Sequence, residues 1–380
     1  MKVLHVAESI KGGIATQLIA HWHHQAGVYG PANVRLAVPE AHASDLDGVD
    51  AASIRALPAI PRGLAGVIRH LRAVHASVRD EAPDLVHAHS AFAGAATRLL
   101  KLVGLCAAPI VYCPHGWAFD RTRGAATRIL YRLVEAALAP CSAAIVCISK
   151  HDYRHGRRTG IARKRLYLIY NGLPTALPEA TPAADHGSTG QGTGLRVAFV
   201  GRLDRQKGFD VLQAAVARTT RPVQVVCVGD AVLGDSANEP AAQPASQAIT
   251  FRGWLPPADV ASELRRADIA IVPSRWEGFG LVAAEALREG TPVIATRRGG
   301  LPEVVAHDAT GEIVAEPDPD ALAHTLDRLD APRLARWRQA ARRRFDAYFR
   351  ADCMARRTMA VYAAVTDAAD ADAADPVPSR

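Results

Sequence analysis

Short apolar runs rich in Val, Ile and Leu alternate along this chain with longer stretches in which apolar residues recur every three or four positions. The first pattern is that of buried parallel strands and the second that of amphipathic helices. It predicts strands over residues 2–7, 33–38, 85–89, 110–113, 144–148 and 165–170, and helices over 14–25 and 62–80. In the second helix Leu64, Val67, Ile68, Leu71, Val74 and Val78 mark the buried stripe. The alternation then stops in a stretch of Pro, Ala, Gly, Ser and Thr, which reads as an interdomain linker over 176–194. It restarts with strands over 195–200, 223–228, 249–252, 269–272 and 292–295, and helices over 209–218, 257–266, 281–288, 320–329 and 332–349, with a loop insertion over 231–248. Two such series predict an α/β chain of two Rossmann-like, doubly wound parallel-sheet domains, 1–175 and 195–345, facing across a cleft. A C-terminal helix over 346–366 is expected to return to the first domain, and the Ala-, Asp- and Pro-rich tail 367–380 to be disordered.

Composition adjusts this picture in three ways. The length of 380 residues exceeds one ordinary core, and 49% hydrophobic with 22% charged residues is the balance of a globular chain. The formal charge of +7 is uneven: residues 1–175 carry 21 Lys and Arg against 11 Asp and Glu, whereas 176–380 carry 24 against 27. A basic first half suits an anionic membrane surface or a phosphate-bearing acceptor. Nucleic acid is not expected, because no helix-turn-helix, zinc finger or aromatic RNA-binding signature accompanies the charge. The six cysteines, Cys106, Cys113, Cys141, Cys147, Cys227 and Cys353, form no C-x-x-C pair and read as free thiols of a reducing cytoplasm. The apolar run at the start is too short for a signal peptide and reads as the first strand. Residues 102–119 are 18 positions without a formal charge, but Pro109, Pro114 and Gly116 break them into a buried strand and a loop rather than a membrane span.

In open α/β sheets ligands bind just past the carboxyl ends of the strands. Three such segments of the second half carry chemistry. Gly201-Arg202-Leu203-Asp204-Arg205-Gln206-Lys207-Gly208 sets a guanidinium and an ammonium beside a turn, a pair suited to phosphate oxygens or else to plain solvation. Glu277-Gly278-Phe279-Gly280-Leu281-Val282 leads into a helix whose first N–H groups can face a phosphate. Glu285 lies further along that helix among Ala, Leu and Val, where a carboxylate calls for a partner such as a ribose hydroxyl. Gly299-Gly300-Leu301-Pro302-Glu303 reads equally well as a turn opening a helix or as a ligand contact. In the first half His115 follows a strand and precedes Gly116. His87 and His89 share a strand end, but no Cys or carboxylate near them in sequence completes a ligand set, and no metal is expected. Asp318-Pro319-Asp320 reads as an N-cap.

The run 195–329, with its ADIAIVPSRWEGFGLVAAEALREGTPVIATRRGGLPEVV core, resembles the nucleotide-sugar domain of the GT4 family of glycosyltransferases, which has the GT-B fold. The family's E-x7-E signature matches Glu277 and Glu285, and its cationic pair matches Arg202 and Lys207. Gly12-Gly13, His115-Gly116, the CIS before Lys150 and Asn171-Gly172 extend the similarity into the first half. The resemblance implies a donor that is a nucleoside-diphosphate sugar, UDP- or GDP-linked, and no obligatory cofactor or metal. Arg202 and Lys207 would neutralise the departing diphosphate, helped by the stretch Gly278-Phe279-Gly280-Leu281-Val282. Glu285 would bind the ribose, and Glu277 the donor sugar hydroxyls. His115 and the Gly12-Gly13 loop would reach the donor from the first domain. Arg252 falls near the base on position alone. Transfer would retain the anomeric configuration by front-face attack, with no enzymic nucleophile. The acceptor implied is a saccharide or a polyprenyl-diphosphate-linked saccharide, met by a cytoplasmic enzyme at the inner membrane face during exopolysaccharide or lipopolysaccharide assembly. The basic segments 62–79 and 121–132 are the expected membrane contact, or else ordinary solvated arginines on core-packed helices. An NAD-type oxidoreductase is disfavoured because no G-x-G-x-x-G follows a strand, and a non-catalytic binding protein because both carboxylates and both cations are kept.

Overall fold

The computed structural model describes residues 1–10, 12–58, 64–122, 124–177, 194–230 and 247–374. It divides into two compact units, Met1–Leu173 with Ala351–Arg380, and Pro174–Arg350. The first is built on seven strands, β1 (Val3–Ala7), β2 (Val34–Pro39), β3 (Ile54–Leu57), β4 (Leu85–His89), β5 (Ile110–Cys113), β6 (Ala144–Cys147) and β7 (Leu166–Leu168). All pair in parallel in the order β3-β2-β1-β4-β5-β6-β7. Its helices are α1 (Gly13–Tyr29), α2 (Leu64–Glu81), α3 (Ala91–Leu102), α4 (Ala118–Arg121), α5 (Ala125–Leu138) and α6 (Lys150–Arg158).

Successive side chains of a strand point to opposite faces, and that alternation sorts this core. Leu4, Val6 and Val86 pack with Val74 and Val78 of α2 and with Ala93 and Leu100 of α3. Ala7 packs in a second cluster with Leu18 and Trp22 of α1. Each Val or Leu among them, fully buried, contributes roughly 1.5–3 kcal/mol relative to exposure, so a sheet covered on both faces carries much of the unit's stability. The register pairs His5 with His87 and Ala7 with His89, which lays three imidazoles on one face.

The second unit has six parallel strands, β8 (Leu195–Val200), β9 (Val223–Val228), β10 (Gln247–Phe251), β11 (Ile269–Val272), β12 (Val293–Thr296) and β13 (Gly311–Val314). Their order is β10-β9-β8-β11-β12-β13, doubly wound about β8 and β11. Its helices are α7 (Phe209–Val216), α8 (Pro257–Arg266), α9 (Leu281–Arg288), α10 (Leu301–Val304), α11 (Pro319–Asp327) and α12 (Ala331–Tyr348). Val197, Phe199, Leu212, Val225, Ile271, Leu326 and Trp337 form its core. A last helix, α13 (Ala351–Ala374), belongs to the first unit.

Several sequence expectations need adjustment. The helix returning to the first unit begins at Ala351 rather than 346. α12 runs on to Tyr348 and stops at Phe349, whose ring is buried against Phe279 with centroids 5.6 Å apart. There the Ala351 N–H donates to the Leu173 carbonyl at 2.9 Å, so the two points where the chain changes unit are hydrogen-bonded neighbours. α13 continues to Ala374, into the tail expected to be disordered; alanine, abundant there, is the strongest helix former. The stretches 178–193 and 231–246 and residues 375–380 lie outside the described residues, and with them most of the expected linker and loop insertion. The first two residues of the helix expected over 62–80 lie outside them too. β3, β13, α3, α5 and α6 escape the sequence pattern: α3 opens with small residues, α6 is polar all round, and α5 carries its apolar residues outward. Among the described residues, no helix is long and apolar enough to cross a membrane. The uncharged run 102–119 is divided among the end of α3, β5, the start of α4 and loops. All six cysteines are free, and Cys106, Cys113, Cys147 and Cys227 are buried.

Candidate active site

In the second unit the turn after β8 and the turn after β11 are laced together. Asp204 Oδ1 accepts the Lys207 N–H at 2.9 Å, and its Oδ2 lies 2.8 Å from Arg202 Nη2. Gln206 accepts from the same Nη2 at 2.9 Å and donates to the Trp276 carbonyl at 3.3 Å. Arg275 holds both carboxylate oxygens of Asp210 at 2.7 and 2.5 Å, which keeps that carboxyl below its ordinary pKa. The Arg275 N–H also donates to the Gln206 carbonyl at 2.8 Å.

This lacing sets Lys207 Nζ 2.8 Å from Glu277 Oε2, with the Ser274 hydroxyl donating to the same oxygen at 3.3 Å. Charge-assisted contacts of this length are the strong class of hydrogen bond. Glu285, on α9, feels the positive charge of Lys207 as well. Burial pushes the Glu285 carboxyl above its ordinary pKa, and the charges of Arg288 and Lys207 draw it part of the way back. Among the described residues no hydrogen-bond donor reaches the Glu285 carboxylate. An ammonium thus stands in the field of both glutamates, and a carboxylate without a donor stands beside it.

Two glycines make this packing possible. Gly299 has φ +52°, and a Cβ there would lie 1.6 Å from the Glu277 carbonyl oxygen. The neighbouring Gly300 N–H donates to the Gly278 carbonyl at 3.0 Å. The Gly299-Gly300 segment is therefore a brace behind the Glu277 turn, and of its two sequence readings the structure favours the turn. Gly280, with φ +98°, caps α9 where a Cβ would lie 2.5 Å from Leu301 Cδ2. The first amides of α9, on Leu281 and Val282, have no partner within their own helix by its geometry. Phe279 is buried on Phe349, so it offers a ligand backbone only. Arg202 is 45% exposed in its side chain, and only its Nη2 is engaged among the described residues. Arg252 donates its backbone N–H to the Cys227 carbonyl at 2.9 Å, next to the edge strand β10, and its Nε is buried without a partner among the described residues. No direct contact joins it to Lys207 or Glu277 among those residues.

In the first unit Gly12, with φ +70°, precedes α1, and both Gly12 and Gly13 are exposed with no atom near a Cβ at Gly12. His115 adopts φ +50°, rare for a side-chain-bearing residue. Its carbonyl accepts from Arg121 Nη2 at 2.5 Å, and its Nε2 lies 2.9 Å from His89 Nδ1. Burial lowers the His115 pKa to about 3, with the Arg121 charge adding to it. Glu8, which sequence reasoning passed over, accepts from the Ser90 hydroxyl at 2.5 Å and from the Ala93 N–H at 3.1 Å, joining the ends of β1 and β4. Ser149 of the CIS segment caps α6 by accepting the Asp152 N–H at 3.1 Å. Gly172 exchanges hydrogen bonds of 3.0 and 3.3 Å with the Gln17 amide. Asp318 accepts the Asp320 N–H at 3.1 Å, the capping role read from its sequence.

Folding also assembles what spacing along the chain hid. His5, His87 and His89 bring one ring nitrogen each within 4.8 Å of one another, as do Asp120, His151 and His155 with one ligand atom apiece. The neighbour that joins His87 and His89 is neither a Cys nor a carboxylate but a third imidazole, His5 from β1. Both nitrogens of His5 and both of His89 are already hydrogen-bonded, so a metal there would have to break those bonds. For Asp120, burial raises the pKa, but hydrogen bonds from His151 and His155 outweigh it and bring the value to about 2.

Comparison with known proteins matches residues 12–172 to the glycosyl transferase 4-like domain and residues 185–344 to glycosyl transferases group 1. A Klebsiella pneumoniae protein described as an uncharacterized 41.2 kDa protein in the cps region is 26% identical over 338 residues, covering 86% of this chain and 89% of that one. Glycogen synthase of Mycobacterium tuberculosis (strain CDC 1551 / Oshkosh) is 30% identical over 292 residues, covering 74% and 69%. Among solved structures, Anabaena Alr3699/HepE in complex with UDP superposes with a TM-score of 0.77 at 18% identity, over 96% of this chain and 100% of that one, which speaks for the fold. With both halves matched in order and two doubly wound parallel sheets, the chain belongs to the glycosyltransferases, of the GT4 type and with the GT-B fold.

Proposed function

We propose that the protein transfers a hexosyl group from a nucleoside-diphosphate sugar, UDP- or GDP-linked, with retention of anomeric configuration. The observation that carries this reading is Lys207, 2.8 Å from Glu277 and in the field of Glu285, in a turn braced by Asp204 and Gln206. A diphosphate entering there would take Lys207 and Arg202 as counter-charges, and the α9 amides would add donors. Glu285, without a donor of its own among the described residues, suits a ribose hydroxyl. Glu277 suits the sugar hydroxyls. A carboxylate already paired to an ammonium makes a poor nucleophile, which fits front-face attack with stabilisation of the leaving group as the main catalytic contribution. His115 and the Gly12-Gly13 loop would act from the first unit. The UDP held by the Anabaena neighbour supports a sugar-nucleotide donor. No metal or cofactor is required in this scheme.

The acceptor in this reading is a saccharide or a polyprenyl-diphosphate-linked saccharide, and the setting is cell-surface polysaccharide assembly at the cytoplasmic membrane face. The cps-region relative supports that setting. So does α5, where Ile129, Leu130 and Leu133 are 58%, 57% and 62% exposed beside Arg128 and Arg132. The end of α3 and the loop after it also expose Leu102, Val103 and Leu105. Apolar side chains mixed with arginines are the composition of a helix lying on an anionic bilayer. Of the other basic segments expected there, Arg123 lies outside the described residues.

Turnover of UDP- and GDP-sugars tests the reading. Arg202→Ala and Lys207→Ala are each expected to lower kcat by about 10²–10³, some 3 kcal/mol, as for loss of one preorganised donor. A chelator is expected to leave the rate unchanged. Unaltered turnover in both variants, or an inverted anomer in the product, refutes the proposal.

A further inference from the structure

Beneath α1 and α13, the first unit buries a chain of side chains that ends at His115. Gln25 Oε1 lies 2.8 Å from His5 Nε2, and His5 Nδ1 lies 2.9 Å from His89 Nε2. His89 Nδ1 lies 2.9 Å from His115 Nε2. At the other end, Gln25 Nε2 donates to the Tyr362 hydroxyl at 3.4 Å, and that hydroxyl lies 2.5 Å from His87 Nδ1. The alternation of β1 and β4 puts His5, His87 and His89 on one face, and Gln25 reaches that face from α1.

We propose that Gln25, held by Tyr362 and acting through His5 and His89, fixes which ring nitrogen of His115 carries the proton. The chain admits one assignment once its first link is set. An amide oxygen only accepts, so His5 Nε2 bears the proton. A neutral imidazole has one proton, so His5 Nδ1 accepts from His89 Nε2–H, and His89 Nδ1 accepts from His115 Nε2–H. His115 Nδ1 is left as a lone pair, able to accept a hydroxyl hydrogen bond. A protonated imidazole inside the chain would set two donors against each other. Burial agrees with this: it lowers the pKa of His5 to about 4 and that of His89 well below 6.5. Turning the Gln25 amide over would reverse every link and make His115 Nδ1 a donor. In this sense the Tyr362 hydroxyl accepts from the amide and donates to His87 Nδ1, and without that hydroxyl the amide loses its second partner. His5, His89, Gln25 and Tyr362 are therefore positioning residues for His115, and their value to catalysis rests on the site role given to His115 above.

Long-range 1H–15N correlation on the full-length protein with labelled histidine rings, near pH 7.5 and without donor, reads each tautomer directly. The expected spectrum shows His5, His89 and His115 all as the Nε2–H form. Tyr362→Phe, which removes a single oxygen, is expected to give His115 a mixture of the two forms, and Gln25→Leu the same. In turnover the Tyr362→Phe variant is expected to lose about tenfold in kcat with the donor KM unchanged. His115 found as the Nδ1–H form in the unaltered protein, or unchanged in both variants, overturns the proposal. The spectrum is independent of turnover, so failure of the glycosyltransfer reading and failure of this one are told apart.

Discussion

At the scale of single residues, this site is governed by close approach as much as by charge. Arg202 and Lys207 are legible in the sequence as a cationic pair, yet each already has an acidic partner, Asp204 and Glu277. Partner choice depends on which turns meet, and spacing along the chain does not report that. Gly299 shows the steric side. A methyl group there would meet the Glu277 carbonyl oxygen at 1.6 Å in a left-handed backbone. Left-handed strain alone costs about 1–2 kcal/mol, and the overlap forces the brace to move as well. Gly299→Ala is therefore expected to lower the urea midpoint by an amount equivalent to more than about 2 kcal/mol and to reduce turnover with it. A variant with unchanged midpoint and activity would mean that the brace does not hold Glu277.

At the scale of elements, strand periodicity and strand ends were readable, and helices whose apolar residues point outward were not. β1, β4, β5, β8 and β11 appear in the sequence as short apolar runs because both faces of a parallel strand are covered. α5 is different. Residues 125–134 are exposed throughout, and only Glu135 and Leu138 of this helix are buried. Its apolar positions are exposed rather than packed into the core of the described residues. Replacing Ile129, Leu130 and Leu133 together by Ser removes that exposed apolar surface without opening a core cavity. The triple variant is expected to lose most of its flotation with vesicles rich in anionic lipid while its melting temperature stays within a few degrees. Equal flotation of variant and parent would sink the membrane reading of α5.

At the scale of the whole molecule, the chain builds two sheets with separate cores and changes unit at Leu173–Pro174 and again at Arg350–Ala351. Twelve of the fifteen histidines lie before residue 176, and the buried ones share an acid response. Burial lowers the pKa of His5 to about 4 and of His115 to about 3, and puts His21, His87 and His89 well below 6.5. Between these values and 6.5 the unfolded chain binds more protons than the folded one, so stability falls as pH drops through that window. One histidine of the His5 kind costs roughly 2 kcal/mol at pH 5, or about 4–8 °C for a domain of this size. Two calorimetric transitions are expected, and lowering the pH from 7 to 5 should move the first unit's well below the second's. A common shift of both would place the acid response elsewhere. By itself, the sequence determined the two βα series, their parallel sheets and the strand ends where ligand chemistry gathers, because apolar period and turn residues act over a few positions. It also determined the family, through motifs that are contiguous or nearly so. Tertiary structure alone decided the pairing of Lys207 with Glu277, the Gly299 brace, the exposed face of α5 and the chain from Gln25 to His115. Each of these joins residues far apart in the chain, and sheet register and helix packing, which no local pattern encodes, are what bring them within hydrogen-bonding distance.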